Sequence, residues 1–131
     1  MTAASLFLQK AIYDALAADT VLASRVTGIF DWAPDAQPLP YVQIGDDIVT
    51  DWSTKSFAGT EHRLTLHVWS LATGRLQVRQ IMDDVSRVLA QPLTVPNVQL
   101  VTFRFLTAQV LRDADTHLHH GLMEYRARTC A

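Results

Sequence analysis

The chain has 131 residues, 49% of them hydrophobic and 18% charged, with 11 basic residues against 13 acidic ones and a formal net charge of −2. That length suits one domain with a single core, and the near balance of charge argues against a general polyanion binder. The one cysteine, Cys130, cannot close an internal disulfide, no apolar run is long enough to span a bilayer, and the N-terminus lacks a secretory pattern; the expectation is a soluble chain made in a reducing cytoplasm.

In chain order, residues 4–18 predict a first helix whose inward stripe is Leu8, Ala11, Ile12, Ala15 and Leu16. Asp19 is placed to cap a short helical turn over 20–25, and Gly28 ends it. Residues 29–32 form a short extended stub. Pro34, Pro38 and Pro40 then make 33–40 a loop of restricted freedom. Alternation resumes over 41–45, a strand, and lapses over 46–60, read here as one long loop holding Asp46, Asp47, Asp51, Trp52, Lys55 and Phe57.

The strongest signal follows. Leu64, Leu66 and Val68 alternate with Arg63, Thr65, His67 and Trp69, the period of a strand with one buried face. After Gly74, the residues Val78, Ile81, Met82, Val85, Val88 and Leu89 draw one apolar helical stripe. Arg79, Gln80, Asp83, Asp84 and Arg87 are left for solvent. Two long alternating runs, 98–111 and 118–129, flank the polar turn 113–116 as an antiparallel hairpin, with Met123, Tyr125 and Ala127 facing one way. The expected fold is α+β: an antiparallel sheet of about four strands with two main helices on one face, a single domain over 1–131 with a long loop at 46–60.

Chemistry is scarce. His117, His119 and His120 cluster, but nothing fixes a third and fourth metal ligand. His62 and His67 lie five apart on a strand and face opposite sides. Asp83 and Asp84 diverge by about 100° on a helix and read as a solvated face. Phosphate loops, nucleophile elbows and HExxH are absent from the sequence, and Ser70 and Ser86 have no partner that can be argued; no catalytic site, metal or cofactor is expected. The outer sheet face gathers Arg63, His67, Trp69, Arg104, Arg126 and Arg128. Such a face is either simply wet or an interface, and Trp with Arg is the composition enriched at interfaces.

Several stretches, in order and over nearly the whole chain, resemble the tail-completion or tail-terminator proteins of long-tailed phages and gene transfer agents. They are LQKAIYDALAAD at 8–19, VTGIFD at 26–31, PYVQIG at 40–45, WSTK at 52–55, GTEH at 59–62, HVWS at 67–70 and HGLMEYR at 120–126. The resemblance implies a small non-enzymatic subunit that forms a ring, of six copies, at the head-proximal end of a tail tube. Such a ring stops tube polymerisation and meets a head-side connector or stopper protein. Its implied partners are further copies of itself, the tube protein and that connector, with no membrane and no specific nucleic acid. Its implied place is the tail of a phage-like particle assembled in the bacterial cytoplasm. The residues offered for these contacts are Trp52, Lys55, Phe57, Arg63, Trp69, Arg104, Arg126 and Arg128. Other roles consistent with the residues are a head-side connector or minor tail component, or a small binding module using the arginine face.

Overall fold

The computed structural model describes residues 3–71 and 74–131. Helix α1 (Ala3–Ala18) buries Leu8, Ala11, Ile12 and Leu16 of the stripe that its spacing predicts, with its fifth member, Ala15, half-buried against the core. Asp19 starts the short helix α2 (Thr20–Arg25) by accepting the Leu22 N–H at 2.9 Å. A two-residue strand β1 (Ile29–Phe30) runs parallel to β2 (Tyr41–Asp51) beside Val42 and Gln43. Then come β3 (Gly59–Ser70), helix α3 (Leu76–Leu89), β4 (Gln99–Arg112) and β5 (His119–Cys130). Their order across the sheet is β1-β2-β3-β5-β4, with every pairing beyond β1–β2 antiparallel.

The fold is the expected α+β class, with a fifth strand and a third helix contributed by the short segments β1 and α2. Both α1 and α3 pack on one face of the sheet. The core joins Leu8, Ile12 and Leu16 of α1 to Val42, Leu66 and Val68 of the sheet, and to Val78, Ile81 and Val85 of α3. Burial of side chains of this size is worth about 1.5–3 kcal/mol each before chain entropy is subtracted. At Gly121 a Cβ would stand 2.6 Å from Met82 Sδ, so bare backbone here lets α3 lie close on β5.

Two expectations change. The loop expected over 46–60 is mostly strand: pairing runs through Val49↔His62 to Asp51↔Thr60, and the unpaired tip is only 52–58. The ladder shifts register between Gly45 and Asp47, with Asp46 at a positive φ of 42°. That bulge breaks the side-chain alternation, the signal that the sequence reading relies on. Asp84, expected in solvent, is buried. Its carboxylate lies 3.3 Å from Arg25 Nε and 3.7 Å from an Arg87 nitrogen. Arg87 also donates both terminal nitrogens to Asp19, at 3.0 and 2.7 Å. A bidentate pair of this kind ties α2 to α3. Those Arg87 hydrogen bonds, followed by the Leu22 N–H, hold the Asp19 carboxyl down at about 2.

Candidate assembly surface

The helix-free face of the sheet is built by strand parity. On β3 the even residues from His62 to Ser70 are buried, so Glu61, Arg63, Thr65, His67 and Trp69 point outward. On β5 the outward set is His120, Leu122, Glu124, Arg126 and Arg128. Register stacks these residues into rows that cross the strands.

One row is Ile48–Arg63–Arg126–Arg104, running from β2 to β4. Adjacent strands lie about 4.8 Å apart, so the three guanidinium groups are close neighbours. Like charges directly opposite each other destabilise a sheet. Yet none of the three has a carboxylate within ion-pair distance among the described residues. The buried Nε of Arg126 has no hydrogen-bond acceptor among the described residues. Placing three unrelieved cations side by side is costly for an isolated subunit.

The next row and the hairpin tip behave differently. Arg128 Nε donates to Glu61 at 2.9 Å, and its guanidinium carbon sits 5.1 Å from the centre of the Trp52 ring. Phe57 meets Trp52 edge-on at 5.5 Å. Backbone bonds Trp52 N–H to Gly59 O and Thr54 N–H to Phe57 O close the tip, and Ser53 Oγ accepts the Gly59 N–H at 3.0 Å. Gly59 is needed because a Cβ there would lie 2.5 Å from the Trp52 carbonyl oxygen. Lys55 stands exposed at the end of this tip.

A third cluster lies at the other end of the face. His120 stacks on Trp69 with centroids 3.8 Å apart, and its Nε2 is 2.7 Å from His67 Nδ1. Asp46 Oδ2 lies 3.6 Å from His67 Nε2. Burial, then the neighbouring His67, pushes the His120 imidazole down to about 4. On the opposite side of the sheet His62 is fully buried, with Thr129 Oγ1 at 2.9 Å and Ser5 Oγ at 3.4 Å. Burial lowers its pKa as well. His62 and His67 do face opposite sides. The pairing of His67 with His120 follows from β3–β5 register, which spacing within one strand does not reveal.

Of the residues offered for assembly, the structure gathers Arg63, Arg104 and Arg126 in one row, and Trp52, Phe57 and Arg128 around the tip. Trp69 is set apart with the histidines. Among the described residues, no group of three or more His, Cys, Asp or Glu side chains is placed to hold a metal ion. His117 lies in the β4–β5 turn, 3.1 Å from an Arg112 nitrogen, and His119 faces inward.

The chain is a small α+β sandwich with helices on one face of its sheet and a band of arginines on the other. Residues 10–130 match the family model described as tail completion protein gp17, and the chain belongs to that family. It is 32% identical over 124 residues to the tail completion protein gp17 of Bacillus phage SPP1, covering 94% of this chain and 92% of the relative. Among solved structures it is similar to a chain in the virion of a native gene transfer agent particle, with TM-score 0.90, 32% identity and 100% of both chains covered. It is also similar to the structure of bacteriophage SPP1 gp17, with TM-score 0.71, 31% identity and coverage of 96% and 91%.

Proposed function

We propose that this chain is the tail-terminating subunit of a phage-like particle. Copies of it form a closed ring, of six, at the head-proximal end of the tail tube. The ring ends tube growth and presents a surface to the head-side connector. The observation that carries this reading is the full-length match, at TM-score 0.90, to a chain of an assembled gene transfer agent virion. The unrelieved arginine row supports it, because an assembly partner would supply the missing counter-charge. On this reading Arg63, Arg104, Arg126, Lys55 and Trp69 meet neighbours directly, while Trp52, Phe57 and Arg128 hold the tip in the shape that meets them. The role is mechanical and involves no catalysis, cofactor, membrane or specific nucleic acid. Assembly takes place in the bacterial cytoplasm.

Electron microscopy of particles made without this protein tests the proposal. Tails longer than normal, or tails not joined to heads, are the expected result. Tails of normal length attached to heads would overturn it.

A further inference from the structure

The two lateral edges of the sheet differ in charge and are both open. Strand β4 is an outer strand of 14 residues carrying Arg104 and Arg112 and no acidic residue. At the other side, β1 pairs with β2 only at Val42 and Gln43. The rest of β2, from Ile44 to Asp51, therefore has a backbone edge that no strand covers among the described residues. That free half carries Asp46, Asp47 and Asp51 and no basic residue. Apolar groups add to both edges: Val101, Phe105 and Leu111 on β4 are 42%, 53% and 45% exposed, and Ile48 on β2 is 61% exposed. Long, apolar, unpaired edges invite further strands, and isolated subunits usually shield them.

We propose that copies of this chain join edge to edge, the free half of β2 in one copy adding to β4 of the next. This rests on the ring reading above and supplies the contact that closes it. Three antiparallel steps separate β2 from β4, so the two strands run in opposite directions. Copies related by rotation about an axis along the strands keep each strand's direction. An incoming β2 therefore meets β4 antiparallel, the pairing this sheet uses throughout its long strands.

Charge selects this contact over its rivals. Two β4 edges meeting about a two-fold axis would bring arginine against arginine, and two β2 edges would bring aspartate against aspartate. A β4–β2 contact pairs opposite signs, and such a head-to-tail interface is the kind that generates rings. The sides also correspond. Asp46, beside the outward His67, shares a face with Arg104, and Ile48 of the free half lies in the same cross-strand row as Arg104, whereas Arg112, paired with His119 opposite Ser70, is level with the start of β2 and lies beyond its free half.

The test uses two charge-reversed full-length chains, Arg104→Glu and Asp46→Lys. Their masses in solution are measured separately and after equimolar mixing. Each variant alone should assemble at least tenfold more weakly than the unaltered chain. The mixture should recover oligomers containing both chains, because every β4–β2 contact in an alternating ring is again between opposite charges. Recovery on mixing also shows that both variants are folded. Amide hydrogen exchange on the assembled unaltered chain should slow in 100–108 and 44–51 relative to the dilute subunit. If the unaltered chain assembles and the variants assemble equally well, or the mixture fails to recover, or protection falls on the helices, the edge contact is wrong and the ring stands. If the unaltered chain remains a single subunit even when added to tails lacking it, both the ring and this contact fall.

Discussion

The hairpin tip and the arginine row lie a few ångströms apart on the same sheet face, and they treat the same residue type in opposite ways. At the tip, Arg128 has a carboxylate in Glu61 and an aromatic face in Trp52, and Phe57 completes the packing. One row along, Arg63, Arg126 and Arg104 stand opposite one another with no carboxylate within ion-pair distance among the described residues. An arginine that is satisfied inside the subunit contributes to folding. One that is left among like charges lowers the stability of the subunit and raises what a counter-charged neighbour can contribute on binding. Composition alone makes the two groups look alike, and register separates them.

Substitution should widen that separation. The largest effect on folding belongs to Trp52→Ala, which removes the ring that both Phe57 and Arg128 rest on; a loss of about 2 kcal/mol is expected in denaturant unfolding. A loss in assembly with unchanged subunit stability would make Trp52 a contact residue instead of a packing one.

Acidification comes next. The His120 imidazole is held down at about 4, so between about 6.5 and 4 the unfolded chain binds a proton that the folded chain refuses, and the lowered His62 acts in the same direction. Stability should therefore fall as pH drops from 7.5 to 5, read as a lower melting temperature. His120→Asn should flatten that slope, and an unchanged slope would remove His120 from the account. At lower pH, Asp19 adds a second loss as the solution passes from about 4 toward 2. Its carboxylate stabilises the fold while ionised, and Asp19→Asn should reduce that phase, leaving the part due to Asp113, whose carboxyl is also lowered by the Asp115 and Thr116 N–H groups.

Arg126→Met should leave subunit stability within about 1 kcal/mol of the unaltered chain, or raise it, since it deletes a cation flanked by two others. A loss above about 2 kcal/mol would mean the row is relieved within the subunit after all. The smallest effect is ionic. Raising salt from 0.05 to 0.5 M should stabilise the unaltered subunit by about 0.5 kcal/mol through screening of the row, and this gain should vanish in Arg126→Met.

Most of the fold was legible from periodicity. The helical stripe of α3, the alternation of β3 and the Asp19 cap each follow from side-chain spacing within a single element. What spacing could not carry is whatever depends on which strands are neighbours. Arg63, Arg104 and Arg126 could be placed on one face, but their alignment in one row is fixed by β5 lying between β3 and β4. The far half of β2 was hidden by the bulge at Gly45–Asp47, which breaks the pattern while the ladder continues. The burial of Asp84, which its helical spacing assigns to solvent, depends on partners from two helices, Arg87 beside it on α3 and Arg25 on α2. The missing cue was chemical: a charge at the edge of an apolar stripe, within reach of a second helix.

The place of β5 in the sheet has its own consequence. It is the last strand in sequence, yet it lies between β3 and β4 and supplies all the lateral pairing that β4 has. During synthesis β4 has no strand to lie against until residues 119–130 have left the ribosome. Thr129, the inward partner of His62, arrives at the same moment. A chain cut short near residue 118 would keep β1-β2-β3 paired but lose β5 and leave β4 without a neighbour.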